Sequence, residues 1–231
     1  MIFLPPLRIT STLLAKKIEA MLGSTSADKV DIVAHSMGGL VAREYLRNAS
    51  NTENIDKLIF LATPHKGAPE SYLAWEGGDL GSGLVGAFKE SLFTQEAYEN
   101  GFLTLKGYIN DNIKSVQELL PVYDYLIEKK TGDLRVYPQG YPRNLFLESL
   151  SQPNILDALT QLDILNFVGM NGSKTITQIE VNKAKGKKLY EHGKPKWKGV
   201  VYGSGDDTVP EESNKDFAQM ETVSVFANHT G

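Results

Sequence analysis

A serine between a strand-like run and a helix-like run constrains this chain more than any other feature. The segment Ala34-His35-Ser36-Met37-Gly38-Gly39 follows the β-rich residues 29–33 and precedes the helix-prone residues 40–46. Strand, tight turn, serine and helix in this order are typical of a nucleophile elbow, a strained turn that exposes the serine hydroxyl. Small residues are expected two positions before and after the serine, because strand and helix pass close together there, and Ala34 and Gly38 fit, although the usual first residue is glycine. The alternative is a helix N-cap serine, which needs no flanking glycines.

Length and composition limit the class of protein. A chain of 231 residues with 41% hydrophobic residues is sufficient for one domain with a real core. No run approaches the ~20 apolar residues of a membrane span. The net charge of −4 gives no sign of a nucleic-acid partner, and the absence of cysteine excludes disulfides and thiolate metal sites. No metal-ligand spacing and no phosphate-binding glycine loop is present, so we expect no cofactor and no metal.

The order of the predicted elements favours an α/β fold. Helix, strand, helix and strand alternate over the first 62 residues, which is typical of a parallel sheet with helices on its faces. Residues 70–162 lack this alternation and are predicted to be a mainly helical cap. We predict one α/β domain over residues 1–231, with a mostly parallel sheet, helices on both faces and a cap insertion at about 70–162. The predicted helices are 10–22 and 38–48, and the predicted strands are 30–34, 57–62, 163–169, 175–181 and 222–226.

A serine nucleophile needs a general base, and the base needs an orienting carboxylate. After a nucleophile elbow these partners follow in the order acid, then histidine. Of the four histidines, only His229 follows a late acidic loop, and it lies just beyond the last predicted strand. We therefore predict Ser36 as nucleophile and His229 as base. The alternative for His229 is a histidine in a frayed terminal segment.

The acid is either Asp206 or Asp207, which share the glycine-rich loop 203–210. The spacing Asp-x-x-Val-Pro favours Asp206. The alternative for Asp207 is a turn residue that bonds its own backbone.

Weaker roles are predicted for the other histidines. His35 lies inside the elbow and is expected to point away from the partner of the serine and to serve in packing or hydrogen bonding. His65 follows a strand end and is equally consistent with lining a substrate pocket and with packing in a turn. Leu40 is a second pocket candidate, and His192 is expected to be solvated in a polar loop.

An oxyanion intermediate needs two backbone N–H donors. Met37, the residue after the serine, is expected to supply the first. The second usually comes from a loop after an early strand, but most residues before the elbow strand are predicted to be helical. Only Phe3-Leu4-Pro5-Pro6 is available for this role. The sequence thus predicts a triad with one of its two usual donors, and loss of a donor costs ~10²–10³-fold in rate.

Lysines cluster between residues 174 and 198, and residues 183–198 are predicted to be a basic loop. They are consistent with contact with an anionic lipid surface, but a solvated lysine-rich hairpin is the preferred interpretation. We predict no protein partner. The lysines are Lys174, Lys183, Lys185, Lys187, Lys188, Lys194, Lys196 and Lys198.

Three motifs together resemble a known family. Residues 30–43 (VDIVAHSMGGLVAR), 61–69 (LATPHKGAP) and 205–210 (GDDTVP) are similar to motifs of the lecithin:cholesterol acyltransferase-like branch of the α/β-hydrolases. Residues 119–125 resemble a cap motif of its bacterial members. The resemblance implies a serine esterase, lipase or acyltransferase acting on lipid-like esters, in a secreted or cell-envelope setting. It assigns the nucleophile, acid and base to Ser36, Asp206 and His229.

The chain also departs from that family. Members begin with several strands, one of which bears the oxyanion loop, and a tyrosine-aspartate-tryptophan-arginine motif precedes their first helix. This chain has Pro5-Pro6-Leu7-Arg8 at that point, so we expect an N-terminally truncated member that lacks the early strands. The alternative function is a non-catalytic hydrolase-like domain that binds lipid or a protein partner.

Overall fold

The computed structural model describes residues 5–81, 92–182, 190–215 and 220–231. The strands are β1 (Val30–His35), β2 (Ile55–Leu61), β3 (Leu126–Glu128), β4 (Asp163–Gly169), β5 (Thr175–Asn182), β6 (Lys194–Gly203) and β7 (Glu221–Val225). The helices are α1 (Leu7–Ser24), α2 (Met37–Tyr45), α3 (Glu70–Gly77), α4 (Leu105–Asn112), α5 (Lys114–Gln117), α6 (Leu145–Leu150), α7 (Pro153–Leu159) and α8 (Glu211–Asn214). Residues 92–99 are also helical, and Ala49–Asn54 form a 3-10 helix.

The main sheet contains four parallel strands in the order β1-β2-β4-β7. This arrangement confirms the predicted α/β fold with a mostly parallel sheet. Ala34 of β1 pairs with Phe60 of β2, which pairs with Asn166 of β4. Ala34 and Phe60 belong to a core cluster that also contains Ile18 of α1 and Leu159 of α7. Because parallel strands share a direction, the carboxyl ends of β1, β2 and β4 meet at one edge of the sheet.

A second sheet has the order β3-β5-β6, in which β3 is parallel and β6 antiparallel to β5. The predicted loop over residues 183–198 is wrong for residues 194–198, which begin β6. Lys194 pairs with Asn182 and Pro195 pairs with Val181. β6 lies at the edge of this sheet, and edge strands commonly carry lysine and proline. The basic composition of these residues therefore did not indicate a strand. Residues 183–189, which include four of the clustered lysines, lie outside the described residues.

Helix bounds differ from the prediction where tertiary contacts replace local signals. α1 begins at Leu7 and not at Thr10, because the Leu7 side chain is buried against α2 and α6. Its backbone N–H donates to Glu118 Oε2 at 2.7 Å. α2 ends at Tyr45, and Asn48, which was predicted to be helical, caps the following 3-10 helix by accepting from the N–H of Ser50.

The predicted cap, residues 70–162, contains α3 to α7 and β3 in its described part. Since β3 joins β5 and β6, this segment shares a sheet with residues that follow it in the chain. The division into a core and a cap stays a prediction. None of the helices described here is long and apolar enough to cross a membrane.

Candidate active site

Ser36 lies at the junction of β1 and α2 in a backbone conformation that non-glycine residues rarely adopt. Its φ is 54° and its ψ is −131°. The Ser36 N–H donates to the carbonyl of Leu61 at 2.8 Å, and its own carbonyl accepts from Gly39 N–H at 3.0 Å. These bonds hold the turn at the carboxyl edge of the sheet. Such strain persists where the surrounding structure fixes it, and it is frequent at functional sites.

Close packing around the elbow involves Gly39 and not Gly38. A Cβ at Gly39 would lie within 2.8 Å of three side-chain atoms of Thr63, a residue that is fully buried after β2. A Cβ at Gly38 would meet no described atom within 4 Å. The expectation that Gly38 must be small because of a close approach is therefore wrong. The requirement applies one residue further along the chain.

His229 connects Ser36 with Asp206. Its Nε2 lies 2.8 Å from Ser36 Oγ, and its Nδ1 lies 2.8 Å from Asp206 Oδ2. The Asp206 side chain is 0% exposed and the His229 side chain is 14% exposed. Because a carboxylate can only accept, Nδ1 carries the hydrogen, and Nε2 is left to accept from the serine hydroxyl. The arrangement can move a proton from Ser36 to His229.

The loop after β6 fixes the orientation of Asp206. Its Oδ1 accepts from the N–H groups of Thr208 at 3.0 Å and Val209 at 2.6 Å. Its backbone carbonyl accepts from His229 N–H at 2.7 Å. Asp207 instead accepts from the Asn171 side-chain amide at 2.7 Å. Of the two candidate acids, only Asp206 contacts the base.

Met37 is the first residue of α2, so its N–H has no partner within the helix and is available to a ligand. For the second predicted donor, Phe3 and Leu4 lie outside the described residues. Pro5 and Pro6 have no N–H to offer.

The two predicted pocket residues lie in the interior. His65 is 1% exposed and Leu40 is 0% exposed, so neither side chain lines an open surface.

Arg43 is also buried. It donates to the carbonyls of His65 at 2.9 Å and Leu150 at 3.0 Å, which connects α2 with the turn after β2 and with α6. Burial, followed by the nearby Arg43, lowers the pKa of His65 well below its ordinary value. Burial also lowers the pKa of Arg43, to about 9.

Sequence reasoning missed the position of His35. Its Nε2 lies 2.7 Å from the backbone carbonyl of His229, and the two imidazole rings are 4.9 Å apart between centroids. The expectation that His35 points away from the partner of the serine is therefore wrong. The contact joins residues 194 positions apart, and no local pattern indicates it.

His192, expected to be solvated, is half-buried, and its N–H donates to Glu76.

In the part of the chain that the structure describes, no group of three or more His, Cys, Asp or Glu side chains could hold a metal ion.

A family comparison identifies the chain. The sequence model described as the PGAP1-like alpha/beta domain matches residues 11–134, which is more than half of the 231 residues. The chain belongs to this family. It is a hydrolase-fold family, and the match includes the elbow at Ser36. No curated protein matches the chain.

Two solved structures are similar to this PGAP1-like chain. One is a chain of the Tle4-Tli4 complex, with a TM-score of 0.52 and 16% identity over 90% of the present chain and 56% of that one. The present chain thus spans just over half of that protein. The other is the Bacillus licheniformis lipase BlEst2 in mature form, with a TM-score of 0.48 and 15% identity over 97% of the present chain and 67% of that lipase. At 16% identity, the likeness to the chain of the Tle4-Tli4 complex concerns the fold alone.

Proposed function

We propose that this PGAP1-like domain is a serine hydrolase that cleaves carboxylic, lipid-like esters through an acyl-enzyme. The observation that supports the proposal best is the line of two 2.8 Å hydrogen bonds from Asp206 through His229 to Ser36. A serine on a strained turn, hydrogen-bonded to an imidazole whose other nitrogen contacts a buried carboxylate, has the constituents of an activated nucleophile.

The chemistry follows from these positions. Ser36 Oγ attacks the ester carbonyl carbon while its proton passes to His229 Nε2. The N–H of Met37 donates to the oxyanion of the tetrahedral intermediate. When the intermediate collapses, the alkoxide leaves with the proton from His229, and the acyl group remains on Ser36. Water then attacks the acyl-enzyme, gives a proton to His229 and releases the acid, so Ser36 recovers its proton.

Asp206 remains ionised through this cycle and stabilises the imidazolium that forms twice in it. Its complete burial strengthens that interaction, because the effective dielectric is lower than at the surface. The two backbone donors on Oδ1 leave Oδ2 directed at His229.

The sequence resemblance extends the proposal to the acyl acceptor. In the lecithin:cholesterol acyltransferase-like branch, a lipid hydroxyl can take the place of water, since both acceptors meet the same acyl-enzyme. Membership of that branch, acyl transfer and contact with a lipid surface stay predictions. A capped site favours larger acyl groups over acetate.

A fluorophosphonate probe tests the proposal directly. We expect covalent labelling of wild-type protein at Ser36, no labelling of S36A, and loss of labelling in H229A, which removes the base but leaves the nucleophile. Hydrolysis of p-nitrophenyl esters of increasing chain length then ranks the acyl groups. Folded wild-type protein that is neither labelled nor active would contradict the proposal and favour a non-catalytic domain that binds lipid or protein.

A further inference from the structure

We propose that His35 is a positioning residue, which holds the backbone of His229 so that the imidazole of His229 stays aligned between Asp206 and Ser36. The inference rests on the proposed function, and it concerns a residue outside the triad. Its basis is the 2.7 Å contact between His35 Nε2 and the His229 carbonyl oxygen. A carbonyl only accepts, so His35 Nε2 carries the hydrogen and donates it.

The backbone of His229 is held from two sides. Its N–H donates to the carbonyl of Asp206 at 2.7 Å, and its carbonyl accepts from His35. The contacts of Thr230 N–H and Oγ1 with Asn228 Oδ1 shape the turn but do not connect it to the sheet. The bond from His35 therefore restrains the peptide group after the base, while the bond to Asp206 restrains the one before it.

The location of His35 explains why this bond matters for chemistry. His35 is the last residue of β1 and precedes Ser36 directly. The end of one strand therefore carries both the nucleophile and the side chain that holds the backbone of His229. A shift of β1 would move Ser36 Oγ and the His229 carbonyl together and preserve their relation. Misplacement of reacting groups by 1 Å can cost about 10²-fold in rate. A bond that keeps the positions of Ser36 and His229 matched therefore helps to maintain the rate.

The ring of His35 also contacts the ring of His229, in addition to the hydrogen bond. The imidazoles of His35 and His229 lie 4.9 Å apart between centroids with a 45° tilt. The His35 ring therefore limits the rotation of the base on that side, in addition to the hydrogen bond. The two effects can be separated, because a phenyl ring keeps the contact and removes the donor.

Three substitutions form a matched set. H35Q places an amide N–H about where Nε2 lies and keeps the donor without the ring. H35N has a shorter side chain of the same chemistry, whose amide cannot reach the carbonyl. H35F keeps the ring without a donor. We expect kcat on p-nitrophenyl esters to fall about tenfold in H35F and H35N, the value of one hydrogen bond, with KM unchanged. H35Q should recover most of the wild-type kcat.

A readout that is independent of turnover keeps the inference testable if the proposed function fails. The Nδ1 proton of His229, in its bond to Asp206, is observable by NMR, and its exchange with water reports the stability of the alignment. We expect faster exchange in H35F and H35N than in wild type and H35Q, at equal unfolding temperatures. Equal exchange in all four proteins would overturn the positioning role, as would equal kcat in H35F and wild type. Wild-type protein that is inactive and unlabelled would count against the proposed function alone.

Discussion

Replacement of Asp206 by asparagine is the sharpest test of the order of hydrogen bonds in the site. Asparagine has the shape of aspartate but places one oxygen and one NH₂ group where the carboxylate has two acceptors. Among the described residues, Asp206 Oδ1 accepts from two backbone N–H groups, whereas Oδ2 accepts from His229 Nδ1 alone. The environment therefore decides which way the amide of D206N is oriented.

The orientation can be estimated from these contacts. If the NH₂ group faced Thr208 and Val209, a half-buried and a buried donor would lose their acceptor, at a combined cost of about 3 kcal/mol. That difference leaves the amide in this orientation in only about one molecule in 150. In all others the NH₂ group faces His229 Nδ1, which must then accept. The hydrogen of the imidazole moves to Nε2, where it prevents proton transfer from Ser36.

The wrong tautomer alone thus accounts for a loss of about 10²-fold in rate. Removal of the negative charge that stabilises the imidazolium adds to it, and the same substitution in a related triad costs ~10⁴-fold. We expect kcat/KM of D206N on p-nitrophenyl esters to fall by about that factor, or about 5 kcal/mol in transition-state stabilisation. Fluorophosphonate labelling should slow in parallel.

D207N is the matched control, since Asp207 is the next residue in the same loop and its Oδ2 contacts Asn171 instead of the base. We expect D207N to keep kcat/KM within a few-fold of wild type. Thermal unfolding of both variants shows whether the loop remains folded. A D206N protein that is folded and within tenfold of wild type would refute the reasoning, and so would an equal loss in D207N.

Two further predictions concern stability. Gly39→Ala should lower the free energy of unfolding by about 1–3 kcal/mol, because the new methyl group overlaps the buried Thr63 side chain. Gly38→Ala, where the space is open, should be neutral or slightly stabilising, and equal values in urea unfolding would contradict the packing assignment. Burial raises the pKa of Tyr125 well above 10.0, so above pH 10 the unfolded chain releases a proton that the folded chain keeps. Stability should therefore decline with rising pH above 10, by up to about 1.4 kcal/mol per pH unit from this residue. Tyr125→Phe should make the decline shallower, and an unchanged slope in urea unfolding measured from about pH 8 to pH 11 would contradict it.

The sequence predicts the ends of the main-sheet strands to within two residues, because each is a short run rich in β-branched and apolar residues. The predicted strand 163–169 coincides with β4, which pairs with β2 on one side and with β7 on the other and is buried at Ile164, Asn166, Val168 and Gly169. β6 shows the opposite case. Its first residues carry lysines and a proline at a sheet edge, so neither alternation nor hydrophobicity marks them, and the pairing with β5 determines the strand.

In the candidate site, order along the chain predicts more than local composition does. Ser36, Asp206 and His229 were selected by their order and by their positions after strands, and the fold brings them within hydrogen-bond distance. His35 and Gly39 could not be assigned in this way. The partner of the first is a backbone carbonyl and that of the second is the side chain of Thr63, and both partners lie far away in sequence.

The family match includes the nucleophile of the candidate site but not its other two members, which lie in the last part of the sequence. The match covers residues 11–134, which include Ser36 but neither Asp206 nor His229. A chain that kept the elbow for structural reasons alone would have no need for a buried carboxylate and an imidazole, from the last 26 residues of the sequence, at the serine hydroxyl. Burial of an unpaired carboxylate is costly, and here the backbone donors and His229 compensate for it. The proposed proton transfer at Ser36, the step that D206N is designed to stop, would account for a buried carboxylate at this position.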